Sequence, residues 1–136
     1  MVEYMEQKIS AEAFNALTDS VGWGTRDAAV VEEALDHTLY SVCALADGRP
    51  VGYARLIGDK TIFLYVQDVM AHPDFQGRGI GTRLMELLVQ KILEYKAASP
   101  DLRAYLGASR GRESFYRRFG FLTRREAELG EGMVLL

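Results

Sequence analysis

The stretch Asp68-Val69-Met70-Ala71-His72-Pro73-Asp74-Phe75-Gln76-Gly77-Arg78-Gly79-Ile80-Gly81-Thr82 decides the fold. Ahead of the turn at Pro73, Thr61–Ala71 reads as a strand. It is apolar on both faces over Ile62–Val66, as expected of a central buried strand, and only Gln67 and Asp68 interrupt it. Behind the glycines a long helix begins near Gly79. Leu84, Leu87, Leu88, Ile92 and Tyr95 share one of its faces, and Ser99-Pro100 stops it. A glycine-rich loop between a buried strand and a helix is suited to an anion. Small residues let backbone N–H groups converge, and the helix N-terminus adds roughly half a positive charge. Arg78 and Arg83 can supplement it. The expected ligand is a phosphate or pyrophosphate.

Two familiar phosphate motifs are excluded by spacing. No Gly-x-x-x-x-Gly-Lys-Ser/Thr string occurs, so there is no P-loop. The glycines run Gly77-x-Gly79-x-Gly81, and five residues separate Ala71 from Gly77, unlike a dinucleotide fingerprint that opens directly from its strand.

Outward from this stretch the chain alternates strands and helices without repeat, linker or low-complexity segment. Val2–Gln7 reads as an edge strand. Ser10 can cap a helix over Ala11–Val21, broken by Gly22-Trp23-Gly24-Thr25, and Asp27 can cap a second with Ala28, Val31 and Leu35 as its stripe. Tyr40–Ala46 and Val51–Ile57 flank a turn at Asp47–Pro50 and form a hairpin. Leu102–Leu106 is a short strand, a helix of two turns runs near Arg112–Phe119 to Gly120, and Phe121–Leu136 suggests a closing hairpin around Gly130–Gly132. The class is α/β with a mixed sheet.

At 136 residues, 49% apolar and 26% charged, the chain fits one domain, residues 1–136, able to fold without disulfide or metal. No apolar run exceeds the five residues of Val42–Ala46, so no membrane span is expected, and the first residues lack a signal-peptide pattern. Cys43 is the only cysteine, which excludes a disulfide scaffold and favours a cytoplasmic location. No His/Asp/Glu grouping has metal-ligand spacing. The net charge of −3 argues against a nucleic-acid partner. Its distribution is uneven. Residues 1–74 carry 5 Lys/Arg against 12 Asp/Glu, whereas residues 75–125 carry 11 against 4. One half suits a cationic ligand and the other an anionic one, unless solvated surface charge has simply segregated.

The run Asp68–Gly81 resembles the central motif of the GNAT superfamily of acyl-CoA N-acyltransferases, whose signature is Gln/Arg-x-x-Gly-x-Gly/Ala at a strand-to-helix junction. Ser114-Phe115-Tyr116-Arg117-Arg118-Phe119-Gly120-Phe121 is similar to the family's Phe/Leu-Tyr-x-x-x-Gly-Phe helix. The likeness covers about residues 40–125, and the N-terminal helices by order only. It implies a mixed, mostly antiparallel sheet, splayed in the middle and flanked by about four helices, that holds acetyl-CoA. By that resemblance the backbone of Val69, Met70 and Ala71 pairs with the pantetheine arm. Amides of Gln76, Gly77, Arg78, Gly79, Ile80, Gly81 and Thr82 take the pyrophosphate. Ser109, seven residues before Tyr116, stands where many members have a pantetheine-binding asparagine, and is shorter. Family members often form homodimers, so the resemblance leaves a homodimer open.

The chemistry is attack of a neutral amine on a thioester, which needs a proton acceptor, an oxyanion donor and stabilisation of the leaving thiolate. Tyr116 matches the family tyrosine and is the candidate partner of the thiolate, the bland reading being a core or rim residue. A phenol of pKa ~10 is a weak donor to a thiolate of ~8.5, so a hydrogen bond counts for more than complete transfer. Asp68 is the candidate for orienting or deprotonating the amine, because a polar residue inside an apolar strand breaks the local pattern. Alternatively it is a structural Asp bonded to nearby backbone or to Arg55, and a water chain serves as base. A backbone N–H near Met70 is the expected oxyanion donor. Trp23 lines the acceptor pocket or staples two helices. Cys43 reads as core, and His37 and His72 as surface.

The expected function is transfer of an acetyl group from acetyl-CoA to a primary amine of a small cationic or aromatic molecule, through a ternary complex. Asp68–Gly81, followed by Gly132-Met133, is also similar to arylalkylamine-type members. The alternatives are a protein lysine or N-terminal amine acceptor, and a non-catalytic acyl-CoA-binding regulatory module.

Overall fold

The computed structural model describes all residues, Met1–Leu136, in two compact units, Met1–Tyr105 and Leu106–Leu136. The first unit opens with strand β1 (Val2–Met5), helices α1 (Ala11–Ser20) and α2 (Ala28–Asp36), and strands β2 (Tyr40–Ala46), β3 (Arg49–Gly58) and β4 (Phe63–Ala71). A one-turn 3-10 segment, Pro73–Phe75, leads to helix α3 (Ile80–Ala98) and strand β5 (Arg103–Leu106). The second unit carries helix α4 (Glu113–Arg117). The sheet order is β1-β2-β3-β4-β5, with the first three pairings antiparallel. The sheet is mixed, and α3 is the crossover that its parallel pair requires.

Local chemistry explains the element ends. Ser10 caps α1, its hydroxyl accepting from the Ala13 N–H at 3.1 Å. Asp27 occupies the corresponding position before α2, but its side chain makes no capping bond there. Asp59 gathers the N–H groups of Thr61, Ile62 and Phe63 at 2.8–2.9 Å. That turn delays β4 to Phe63 rather than Thr61, and it leaves Ile62 exposed. The Ile62–Val66 run is therefore not buried on both faces: only Leu64 and Val66 are buried.

Two layers cover the sheet. On one face Phe14 and Leu17 of α1 and Val31 and Leu35 of α2 pack with Cys43, Tyr53 and Met70. Ala44 and Gly52 belong to the other face, where Ile80 begins α3, as the two-residue alternation of a strand dictates. Ile80, Leu84, Met85, Leu88 and Ile92 of α3 are buried.

The expected closing hairpin over Phe121–Leu136 does not form: no strand occurs after β5. Glu126 instead closes a turn, accepting from the Thr123 N–H and from Arg117. A hairpin is marginal without a sheet or apolar layer to complete it, and Met133–Leu136 are almost fully exposed. The helix expected over Arg112–Phe119 is shorter, at Glu113–Arg117, and Gly120 follows it in the left-handed region at φ 93°.

Candidate active site

β4 is broken where the polar pair interrupts it. Tyr53 pairs with Met70 and Arg55 with Gln67, so Ala54 alone opposes both Asp68 and Val69. This is a β-bulge, and Asp68 takes φ 58°, a conformation that Asp tolerates better than most residues. The extra residue inverts the alternation. Leu64 and Val66 share the face of α3, whereas Met70 turns to α1 and α2.

Asp68 is not a lone carboxylate. Its Oδ2 accepts from Arg55 Nε at 2.6 Å, and the two side chains are only 17% and 12% exposed. The same guanidinium donates from one terminal nitrogen to the Ala34 carbonyl at 2.9 Å and to the Thr38 hydroxyl at 3.1 Å. The structural alternative for Asp68, a bond to Arg55, is thus what the chain forms.

Beyond the bulge, Met70 and Ala71 pair with Tyr53 and Gly52 of β3 on one side. On the other, the Arg103 N–H bonds the Ile62 carbonyl at 3.2 Å, so the four-residue β5 runs alongside the first half of β4. Val69–Ala71 lies past its span. A strand edge left this way can accept an extended ligand as a further strand.

The loop that follows is tied back by Gln76, whose amide donates to the Ala71 carbonyl at 3.0 Å. Gln76 therefore holds the loop against the strand end. Gly77 and Gly79 have φ 78° and 77°, and nothing lies within 4 Å of where either would carry a Cβ. The first backbone bond of α3 runs from the Arg83 N–H to the Gly79 carbonyl, so the Ile80 and Gly81 amides at the helix start have no intrahelical partner. Residues Gln76 through Gly79 are exposed. This cradle fits a pyrophosphate: open space, left-handed turns and amides at the positive end of a 19-residue helix. Arg78 lies over the Phe75 ring at 4.9 Å, beside the loop, while Arg83 pairs with Glu86 at 3.2 Å and is partly neutralised.

Trp23 follows α1 in the turn between the two helices, its N–H bonded to the Thr18 carbonyl. It is 47% exposed and lies outside the buried cluster beneath α1 and α2. Cys43 is fully buried, and burial pushes its thiol up to about 11, which suits a core residue and not a nucleophile. No group of three or more His, Cys, Asp or Glu side chains could hold a metal ion. No helix is long and apolar enough to cross a membrane.

In the second unit Tyr116 lies on α4, half-buried among Phe115 (ring centroids 5.1 Å apart) and Phe121 (6.4 Å). Burial raises its phenol above the ordinary 10.0, and Arg112 opposes the shift. Ser109 is exposed and accepts the Arg112 N–H at its carbonyl, in the turn that leads into α4.

A family model described as an acetyltransferase (GNAT) domain matches residues 37–122. The chain belongs to the GNAT acetyltransferase family. It is 32% identical over 120 residues to an uncharacterized N-acetyltransferase, ycf52, of Porphyra purpurea, a match that covers 85% of this chain and 67% of the relative. Serotonin N-acetyltransferase 2 of Oryza sativa is 36% identical over 81 residues, 57% of this chain and 40% of that protein. Histone acetyltransferase TAP1 of Glycine max is 30% identical over 118 residues, 78% of this chain and 49% of that protein. The chain thus spans less than half the length of the last two. A solved structure from Staphylococcus aureus shares the fold with a TM-score of 0.89 over 100% of this chain and 99% of its own, at 23% identity.

The loop and Asp68 are legible in the sequence, whereas Arg55 shows there only as a candidate partner of Asp68. Its only signal was an arginine at an inward position of a strand otherwise rich in apolar residues.

Proposed function

We propose that this GNAT protein transfers the acetyl group of acetyl-CoA to the primary amine of a small cationic or aromatic molecule, by direct attack within a complex of all three. The observation that carries the reading is the cradle at Gly77–Gly81. Acetyl-CoA supplies the acyl carbon and a thiolate leaving group. The loop amides hold its pyrophosphate, with Arg78 as the nearby cation, and the free edge of Val69–Ala71 takes the amide-bearing arm. The ammonium first gives up one proton to a water or carboxylate, the neutral nitrogen then forms the C–N bond as the C–S bond breaks, and its second proton passes to water or to the departing thiolate. Asp68 orients the incoming ammonium. Its Oδ2 is committed to Arg55, and no protein group hydrogen-bonds Oδ1. Trp23, exposed between α1 and α2, is assigned to acceptor binding. Tyr116 is assigned as hydrogen-bond donor to the departing thiolate, a role for which a phenol raised above 10.0 remains protonated at neutral pH.

The acidic balance of residues 1–74 favours a cationic acceptor, and the likeness to a rice serotonin N-acetyltransferase favours an aromatic one. The soybean relative's name favours the second reading, a protein amine. Acetyl-CoA-dependent thiol release measured against polyamines, arylalkylamines, aminoglycosides, amino acids and lysine peptides separates them. Release with one small-amine class is the expected result, and release with peptides alone selects the second reading. Acetyl-CoA binding by calorimetry without release from any amine identifies a binding module, and no binding at all overturns the assignment.

A further inference from the structure

Arg55 joins three elements through one planar group. Its Nε holds Asp68 in the left-handed bulge of β4, and a terminal nitrogen holds Ala34, in the last turn of α2, and Thr38 just beyond it. The carbonyls at a helix C-terminus favour a cation, so this end of α2 is a fitting anchor. A lysine could supply the charge but not these bonds in fixed relative directions. The pair lies on the sheet face covered by α1 and α2, since Arg55 is two residues from Tyr53, which packs there. The cradle is secured separately, through Gln76 and Ala71.

We propose that Arg55 is a positioning residue for the amine acceptor. It sets the bulge and the Asp68 carboxylate at one distance from α2, and it leaves Oδ1 as the atom presented to the ammonium. The proposal rests on the acetyltransfer reading above. It separates two functions by their anchors: acceptor handling depends on Arg55, while the pyrophosphate cradle is held through Gln76, so the amine KM responds more than the acetyl-CoA KM.

The test is steady-state kinetics of Arg55→Lys and Thr38→Val with acetyl-CoA and the best amine from the panel, with Tm measured alongside. Thr38→Val removes one acceptor of the guanidinium at a half-buried position and keeps the ion pair, so it reports even where Arg55→Lys folds poorly. In Arg55→Lys the amine KM should rise about tenfold or more, with the acetyl-CoA KM within about twofold of wild type. Thr38→Val should shift the amine KM in the same direction by a smaller factor. Free guanidinium at millimolar concentration should restore part of the loss in Arg55→Ala. A lowered Tm with unchanged amine KM in both variants overturns the proposal and leaves Arg55 a brace. Equal losses in both KM values also overturn it. A wild-type protein that acetylates no amine sinks the acetyltransfer reading itself, and this proposal with it.

Discussion

Gly52 of β3 stands directly under Ile80, the first residue of α3: a Cβ on Gly52 would come within 2.7 Å of Ile80 Cγ2. The same methyl would meet Ala44 Cβ and the Met70 carbonyl oxygen at 3.2 Å. Ile80 is buried and Met70 O is backbone, so neither can yield cheaply. Gly52→Ala should destabilise the protein by about 1–3 kcal/mol, the usual cost of overpacking. Because Ile80 also opens the helix behind the cradle, acetyl-CoA affinity should fall with it. Urea midpoints and calorimetry on the same variant check both effects. An unchanged midpoint would mean that α3 has room to move.

Asp59 holds the β3–β4 turn through four bonds, from three N–H groups and the Thr61 hydroxyl. Those donors lower its carboxyl from 3.8 to about 2. A depressed pKa means that the stabilisation is fully present above about 4 and is lost as pH falls through about 2. Asp59→Ala should therefore lower Tm at neutral pH, and the gap from wild type should close by about pH 2. Asp59→Asn keeps an acceptor and should lose less. A gap independent of pH would show that the charge contributes nothing.

The bulge at Asp68 shows what could be read in advance. Gln67 and Asp68 stood out as polar residues in an apolar strand, and their place marked the site. The reason did not show: one inserted residue inverts the alternation, which places Met70 with Phe14 and Leu17. Periodicity over nine residues cannot separate a strand with a bulge from one apolar on both faces. The helices and the glycine loop were legible because capping and spacing are local, as at Ser10 and Gly79. Partners far apart in sequence were not. The sequence offers Arg55 only as one structural partner for Asp68, because its bonds to Ala34 and Thr38 span 21 and 17 residues. The tail failed for a related reason. Phe121–Leu136 has turn glycines and apolar residues, but a strand needs a neighbour, and no local pattern supplies one.

Cys43 is buried, and its thiol is raised from 9.0 to about 11 by desolvation. A raised pKa in an acid that is neutral when protonated means the folded state keeps its proton longer. The stabilisation is full below about 9 and is lost as pH rises through about 11. The native thiol should resist a disulfide reagent at pH 8 and react at once in denaturant. The stability difference between wild type and Cys43→Ala should shrink between pH 9 and 11. Rapid labelling of the native protein would show that the core opens at β2.

Gly79 takes φ 77° with open space around it, so a side chain there meets a conformational cost and no clash. For alanine that cost is about 1–2 kcal/mol. Gly79→Ala should weaken acetyl-CoA binding about tenfold by turning the loop amides aside, and the same conformational cost should lower Tm by roughly several degrees. Gly79→Asn should bind better than Gly79→Ala, since Asn visits this region more readily. Equal affinity in all three proteins would remove the loop from the cofactor site.

Tyr116 gives the sharpest separation of enzyme from binding module. Its ring packs against Phe115 and Phe121, so Tyr116→Phe keeps the packing and removes one hydroxyl. Burial holds the phenol above 10.0 against the pull of Arg112, and the group is therefore a donor throughout the neutral range. A donor aimed at charge that develops only in the transition state acts on kcat and not on ground-state binding. Tyr116→Phe should lower kcat by about 10- to 100-fold and leave the dissociation constant of acetyl-CoA within about twofold. The wild-type rate should not decline between pH 8 and 9 on account of this group, because the phenol is still protonated there. If kcat survives the substitution, the thiolate leaves with help from water or backbone, and Tyr116 belongs to the packing of α4. If binding falls together with kcat, its hydroxyl contacts acetyl-CoA in the ground state.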